Sequence, residues 1–186
     1  MNDALELAYL AGIIDADGSI TIAICKWRAT IGRSPIFSEM VAIGQCDTQA
    51  LEMLQKRFGG NLRLQKKRGS DNCRPFYLWV VTNRTAVTVA KALLPYLRIK
   101  KRHALLLLKL REIKERGREA NTYLEDPPVL RKTRWGMRPY RRRFLTSEVL
   151  AEMNALTSEI RTINDTRYGR ITHMLPDGKT IEIIAG

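Results

Sequence analysis

The sequence predicts a single α+β domain in which helices alternate with two β-hairpins in the order αββαββα. Runs with apolar residues three and four positions apart indicate helices, and runs in which every second residue is apolar indicate strands. The chain has 186 residues, which is enough for one buried core. We expect a core over residues 1–118, a basic loop over 124–145, and a C-terminal helix and tail over 146–186.

The first helix is predicted near the N-terminus, where four apolar residues share one face: Leu7, Leu10, Ala11 and Ile14. Gly18 is expected to end this helix. Alternation then predicts a first hairpin from SITIAICKW and FSEMVAIGQ, and a second from NLRLQKKRG and PFYLWVVT. Between the hairpins, DTQALEMLQKRFGG predicts a helix capped by Asp47 and ended by Gly59 and Gly60.

The rest of the chain continues with helical patterns in TAVTVAKALLPYL and KKRHALLLLKLREIKERG. The proline-broken, strongly basic segment EDPPVLRKTRWGMRPYRRRF predicts a loop. A capped helix is expected in TSEVLAEMNALTSEIRTIND, and LPDGKTIEII predicts a small hairpin.

The composition favours a polyanionic partner. Lys and Arg number 32 against 19 acidic residues, a formal charge of +13, which is typical of nucleic-acid binding, although a solvated basic surface is the alternative. The three cysteines have no disulfide or zinc spacing, and only two histidines are available as catalytic bases. The longest apolar run, ALLLLKL, is too short to span a membrane, and the acidic N-terminus does not resemble a signal peptide. We therefore expect an intracellular protein.

Two aspartates stand where the first helix meets the first strand. Carboxylates at a helix C-terminus oppose the helix dipole, so Asp15 and Asp17 need positive charge nearby, such as a divalent metal ion. Ordinary polar termination of the helix is the alternative. An EF-hand calcium loop does not fit, because glycine is fourth and Lys26 is twelfth counting from Asp15. Small residues spaced four apart predict a close helix–helix contact, within one subunit or between two: Ala8, Gly12 and Ala16.

Several segments together resemble one family. LAGIIDADG, residues 10–18, resembles the LAGLIDADG motif of homing endonucleases and differs from it only by Ile13 in place of leucine. GQCD contains Gln45 where family members carry a glutamine between the second strand and the second helix. LLPYLRIKKRHA and INDTRYGR resemble segments of single-motif members encoded in group I introns. The resemblance covers nearly the whole chain, is weakest over residues 111–146, and implies the αββαββα fold with a four-stranded antiparallel saddle.

The resemblance implies a homodimer that packs through the first helix, at Ala8, Gly12, Ile13 and Ala16. It places Asp17 of each subunit together, where Mg²⁺ would be bound, with Mn²⁺ or Ca²⁺ able to substitute in binding. The Ala16 carbonyl is implied as a further metal ligand.

The resemblance also implies roles for residues around the metal. Gln45 would position a water molecule, and Lys100 would stabilise charge on the phosphate. Asp15 is interpreted as structural, through hydrogen bonds to backbone. A basic residue found early in the second helix of some members is missing here, where Gln49 and Ala50 stand.

The open face of the saddle would lie in the major groove of double-stranded DNA. The residues expected to contact DNA from the sheet and its turns are Thr21, Ala23, Cys25, Trp27, Arg28, Ser38, Met40, Arg63, Gln65, Lys67, Tyr77 and Trp79. Four arginines are expected to bind phosphates from the basic loop and the C-terminal segment: Arg138, Arg141, Arg167 and Arg170.

These features predict a sequence-specific endonuclease that makes a Mg²⁺-dependent double-strand break in a long pseudo-palindromic site. Two alternatives use the same scaffold, namely an RNA maturase that binds its host intron and a DNA-binding regulator that does not cut. The family resemblance implies a location in the prokaryotic cytoplasm or in the chloroplast or mitochondrion that encodes the protein.

Overall fold

The computed structural model describes residues 3–25, 34–65, 74–119, 123–125, 129–133, 136–140, 143–167, 170–174 and 180–184. The helices in this part of the chain are α1 (Asp3–Asp17), α2 (Gln49–Phe58), α3 (Asn83–Leu93), α4 (Lys101–Glu119) and α5 (Ser147–Arg167). The strands are β1 (Gly18–Cys25), β2 (Ile36–Gln45), β3 (Asn61–Gln65), β4 (Phe76–Thr82), β5 (Tyr123–Glu125), β6 (Val129–Thr133), β7 (Gly136–Tyr140), β8 (Arg143–Leu145), β9 (Arg170–Met174) and β10 (Thr180–Ile184). The predicted αββαββα order is confirmed.

One antiparallel sheet contains the first four strands in the order β1-β2-β4-β3. In the β1–β2 pair, Ile20 lies opposite Val41, and in the β2–β4 pair Ile43 lies opposite Trp79. Residues directly opposite each other point to the same face of a sheet. This face is buried against α1, α2 and α3, and no helix among the described residues covers the other face.

The helix α1 buries Leu10, Ala11 and Ile14, as its apolar periodicity predicts. It ends at Asp17, and Gly18 begins β1 without a positive φ angle. A Cβ atom at Gly18 would lie 2.8 Å from the Ile14 carbonyl oxygen. Gly18 therefore follows the end of the helix, as predicted, and is required by the close approach of the strand to the last helical turn.

A second apolar cluster lies under the outer half of the β1–β2 hairpin. Ile22 and Phe37 of the sheet pack there with Leu110 of α4 and with Met153 and Ile160 of α5. At the start of α5, hydrogen bonds from the backbone of Glu148 and from the Ser147 and Thr146 hydroxyls lower the pKa of the Glu148 carboxyl. The terminal helix thus belongs to the folded core.

A buried ionic network joins β2 to α4. Glu39 is 0% exposed and lies on the helix-covered face of β2, opposite Ile22. Its Oε2 atom lies 3.0 Å from Arg111 Nη2 and 2.9 Å from Lys114 Nζ. Lys114 also donates a hydrogen bond to the Phe37 carbonyl, at 2.8 Å. The alternation of β2 puts Glu39 on the same face as Phe37 and Val41. The sequence analysis did not identify it, because only the structure shows the two cations of α4 that balance its charge.

The segment expected to be a basic loop, residues 124–145, contains two short antiparallel ribbons. β5 pairs with β8, and β6 pairs with β7 between them. The expectation of a loop was wrong because the β6 run VLRKT contains no proline, and Pro139 lies within β7 opposite Leu130 without ending the pairing. The predicted C-terminal hairpin is confirmed, with β9 pairing to β10. No helix among the described residues is both long and apolar enough to cross a membrane.

Candidate functional site

The end of α1 and the end of β2 meet at an open cleft of about 580 Å³. Asp17 is exposed there, and the Gln45 Nε2 atom donates a hydrogen bond to Asp17 Oδ2 at 3.0 Å. The cleft is lined by Tyr9, Ile13, Asp17, Gly44, Gln45, Cys46, Asp47, Gln49 and Ala50. Two of the residues predicted to form the catalytic site, 28 positions apart in the chain, are therefore in direct contact.

Asp15 behaves as the structural residue that the sequence analysis predicted. It is 7% exposed, and its carboxylate accepts backbone N–H hydrogen bonds from Arg98, Ile99 and Lys100 at 2.7, 3.1 and 2.8 Å. These N–H groups precede α4, where the positive end of the helix dipole lies. The protein itself supplies the positive partner of Asp15, so a metal ion is not needed to explain this carboxylate.

The Lys100 side chain also contacts the end of α1. It is 5% exposed, and its ammonium group donates a hydrogen bond to the Asp15 carbonyl oxygen. Lys100 thus contacts the residue two positions before Asp17. Lys100 does not belong to the described residues that line the cleft.

Asp47 is both a helix cap and part of the cleft. Its Oδ1 atom accepts a hydrogen bond from the Gln49 N–H at 2.8 Å, as the predicted cap requires. The sequence analysis identified the cap but not the position of Asp47 beside Asp17 and Gln45. The sequence indicates only the local role of this carboxylate at the start of α2. Its position beside Asp17 depends on the packing of α1, which is distant in the sequence.

The donor atoms near Asp17 suit a hard divalent cation. Mg²⁺ prefers carboxylate, carbonyl and water oxygens, and Asp17 presents an exposed carboxylate at a helix end. Within the described residues of one chain, no group of three or more His, Cys, Asp or Glu side chains could hold a metal ion. Asp17 therefore fits part of the coordination shell of such an ion.

The uncovered face of the sheet carries most of the strand residues expected to contact DNA. Thr21 lies opposite Met40 and Ala23 opposite Ser38, while Arg63 lies opposite Leu78. The positions that register and alternation place on this face are Thr21, Ala23, Cys25, Ser38, Met40, Arg63 and Gln65. Arg63 and Gln65 are exposed, and the others are half-buried.

The expectation that Tyr77 and Trp79 contact DNA was wrong in its choice of strand face. Trp79 is 0% exposed and packs in the core, and its Nε1 atom donates a hydrogen bond to the Gly59 carbonyl at 2.9 Å. Tyr77 is half-buried and packs against the same core. The run FYLWVV is apolar throughout, so alternation could not assign its faces. The pairing of Trp79 with Ile43 assigns them.

Trp79→Phe tests this correction. We expect the free energy of unfolding to fall by about 1–3 kcal/mol, because the Gly59 carbonyl loses its partner. The preference for DNA sequence should not change. Urea denaturation and selection from a DNA library measure the two properties. As a control, Phe76→Ala on the opposite face should change the sequence preference more than the stability, and the reverse pattern would show that Trp79 faces DNA.

The sequence analysis missed the residues of β4 that do share the open face, which are Phe76, Leu78 and Val80. Phe76 is exposed, and its ring lies over Gly44, where an added Cβ would come within 2.4 Å of the ring. Gly44 therefore provides the space in which the aromatic ring rests on the neighbouring strand. The middle of this face is apolar, which suits contacts with thymine methyl groups.

The residues expected at a dimer interface lie along one side of α1. Gly12 and Ala16 are exposed, while Ala8 and Ile13 are half-buried. Leu5 and Tyr9 extend this side and are 64% and 52% exposed. A Cβ atom at Gly12 would meet nothing within 4 Å. We call these six residues the α1 face.

Some positions expected to contact DNA cannot be placed. Trp27, Arg28, Lys67 and Arg141 lie outside the described residues. Arg138, Arg167 and Arg170 lie in described strands or helices, but their side chains lie outside the description. Their contacts with phosphate stay predictions.

No protein-family model and no curated protein matches the sequence. Solved structures do. The homing endonuclease I-CvuI in complex with the I-CreI target has a TM-score of 0.60 and 24% identity, over 88% of this chain and 84% of that chain. The archaeal intron-encoded homing endonuclease I-Vdi141I complexed with DNA has a TM-score of 0.59 and 17% identity, over 87% and 86%. The LAGLIDADG homing endonuclease I-GzeII has a TM-score of 0.52 and 16% identity, over 84% of this chain and 43% of that one. The protein therefore has the α+β fold of the LAGLIDADG homing endonucleases.

Proposed function

We propose that the protein is a sequence-specific, Mg²⁺-dependent homing endonuclease that cuts both strands of a long pseudo-palindromic DNA site as a homodimer. The observation that supports this most is the hydrogen bond from Gln45 to the exposed Asp17 in the cleft, at 3.0 Å. If Asp17 served only to end α1, it would not need an exposed carboxylate at the helix C-terminus, where the helix dipole disfavours negative charge. The similar structures of I-CvuI and I-Vdi141I contain DNA.

The α1 face supports assembly with a second copy. Large apolar side chains at Leu5 and Tyr9 flank the flat surface at Gly12 and Ala16, so two such helices can approach closely. Packing about a two-fold axis would make the same residues meet in both subunits. Asp17 lies at the end of this face, so its two copies would come together beside the DNA.

Gly12→Glu tests the interface. We expect the monomer to fold normally, because an added Cβ meets nothing within 4 Å, while the dimer is weakened by about 100-fold or more by steric overlap and like charge. Analytical ultracentrifugation measures the dissociation constant. Gln55→Glu, an exposed change on α2, is the matched control and should not alter it. A dimer that is unaffected by Gly12→Glu would place the interface elsewhere.

Asp17 and the Ala16 carbonyl are the groups in this chain that would hold Mg²⁺, and Mn²⁺ or Ca²⁺ would substitute in binding. When bound, the ion would activate water and stabilise the leaving oxygen of the phosphodiester. Gln45 donates to one carboxylate oxygen of Asp17 and so restricts the orientation of the carboxylate. The similar structures of I-CvuI were obtained with Mg, in which the DNA was not cleaved, and with Ca.

The open sheet face would read base edges in the major groove, with Arg63 and Gln65 as polar readers and Phe76 and Leu78 as apolar ones. The net charge of +13 supports binding to phosphates. We place the protein in the prokaryotic cytoplasm, or in the chloroplast or mitochondrion that encodes it. Binding of intron RNA as a maturase is the alternative on the same scaffold.

Selection from a plasmid library of long randomised sites tests the function. The purified protein is incubated with the library in Mg²⁺ or in EDTA, and linearised plasmids are sequenced. We expect a small subset with an imperfect inverted repeat to be cut, only in Mg²⁺, leaving cohesive ends. DNA that is bound but never cut would indicate a regulator. If no DNA is enriched, structured intron RNA becomes the ligand to test.

A further inference from the structure

We propose that the open face of the second hairpin reads the C5 substituent of pyrimidines. The DNA site then contains a thymine whose methyl group the protein contacts, and a cytosine that is bound more tightly when it carries the same methyl group. The inference rests on the proposed nuclease function and names a chemical group by which part of the site is recognised. Two cross-strand pairs support it, Arg63 with Leu78 and Gln65 with Phe76.

Each of these pairs joins a polar residue of β3 to an apolar residue of β4. Arg63 lies opposite Leu78, and Gln65 lies opposite Phe76. Residues directly opposite each other share a face, so all four belong to the face that no described helix covers. In both pairs the polar residue stands on the edge strand and the apolar residue on the inner strand. The hairpin therefore repeats one combination of a hydrogen-bonding and an apolar side chain.

The apolar side of the two pairs is widened by Gly44 of β2. Gly44 lies opposite Leu78, and the Phe76 ring rests over it, where an added Cβ would collide with the ring. Phe76 is nevertheless 42% exposed, and Leu78 is half-buried. Gly44 also lines the cleft that contains Asp17, so this apolar surface lies next to the proposed point of cutting.

A row of residues across the strands lies along a base pair when the strands follow the major groove. Neighbouring strands are about 4.8 Å apart, so three strands span about 10 Å, which is close to the groove width of about 12 Å. One base pair then faces a β3 residue with one base and a β4 residue with the other. The two rows lie about 7 Å apart along the hairpin, which corresponds to about two base-pair steps.

The chemistry of the base edges decides which base pair suits each row. Gln65 would bind adenine through N6 and N7, which brings the C5 methyl group of the paired thymine to the Phe76 ring. Arg63 would bind guanine through O6 and N7, which brings C5 of the paired cytosine to Leu78. A methyl group on that cytosine occupies the place of the thymine methyl, so Leu78 would gain apolar contact. Both purines should lie on the same DNA strand, because both polar residues lie on β3.

Base analogues test the inference without changing base pairing. In duplexes of the selected site, each thymine is replaced in turn by deoxyuridine, which lacks only the methyl group, and each cytosine by 5-methylcytosine. Gel-shift titration of the full-length protein in Ca²⁺ measures the affinity. We expect deoxyuridine at one thymine of each half-site to weaken binding about fourfold, and 5-methylcytosine at one cytosine to strengthen it by a factor of about 2–4.

Single substitutions assign each methyl group to its side chain. Phe76→Ala should make the protein bind thymine and deoxyuridine equally, and Gln65→Ala should relax the sequence preference at the same base pair. Leu78→Ala should abolish the preference for 5-methylcytosine but keep the discrimination against deoxyuridine. Leu64→Ala is the matched control, because Leu64 is 60% exposed but lies opposite Tyr77 on the other face. It should leave both affinity ratios unchanged.

The base analogues are measured with the unmutated protein, so the test does not depend on the folding of any variant. Binding that deoxyuridine leaves unchanged at every thymine, or that 5-methylcytosine strengthens at no cytosine, would overturn the inference. Discrimination against deoxyuridine that persists in Phe76→Ala would also contradict it. If no DNA sequence is selected at all, the proposed function fails, whereas selection and cutting of a site without discrimination at C5 contradict this inference alone.

Discussion

Asp17→Asn is expected to lower the cleavage rate about 10³-fold while DNA binding is retained. The change removes the negative charge that would hold the metal ion but keeps the size of the side chain. An asparagine oxygen can still accept the hydrogen bond that Gln45 donates at 3.0 Å, so the junction of α1 and β2 should persist. Linearisation of a plasmid carrying the selected site measures cleavage, and gel-shift titration in Ca²⁺ measures binding.

Asp47→Asn is the matched control for this prediction, since it makes the same chemical change in the same cleft. Asparagine caps helices as well as aspartate does, so α2 should be unaffected. We expect cleavage to change by no more than a few-fold. Equal loss of activity in both variants would mean that the cleft uses two carboxylates of this chain and that the assignment to Asp17 alone is wrong.

Glu39→Gln is expected to lower the free energy of unfolding by about 3–5 kcal/mol. Glu39 is the anion that balances Arg111 and Lys114 between β2 and α4, and the Arg111 side chain is only 8% exposed. A neutral glutamine removes the negative charge that lies within 3.0 Å of both cations. Urea denaturation at neutral pH, with an unchanged m-value, measures the loss.

Two controls define what this result would mean. Glu112→Gln, exposed on α4, should change stability by less than about 0.5 kcal/mol. Replacing Glu39, Arg111 and Lys114 together by methionine should restore most of the stability, since buried ionic networks are often no better than apolar packing. A loss below about 1 kcal/mol in Glu39→Gln would contradict the argument, because water would then be reaching the charges.

The helices and strands of the core were predictable because their signals are local. The spacing of Leu10, Ala11 and Ile14 predicts the buried face of α1, and the alternation of Ile20 and Ile22 predicts that of β1. Asp17 and Gln45 were identified from motifs, and the structure brings them into contact. The prediction failed in β4, where every position is apolar and only pairing with β2 shows that Trp79 is buried.

The sequence by itself determined the order of elements, the motif at residues 10–18, and the basic charge, because each depends on residues close together in the chain or on composition. Only the tertiary structure decided which face of β4 is buried, how Glu39 is balanced, and which groups hold Asp15 and Lys100. The physical reason is that these contacts join residues that lie up to 85 positions apart in the chain, and local periodicity carries no information about which distant groups will meet.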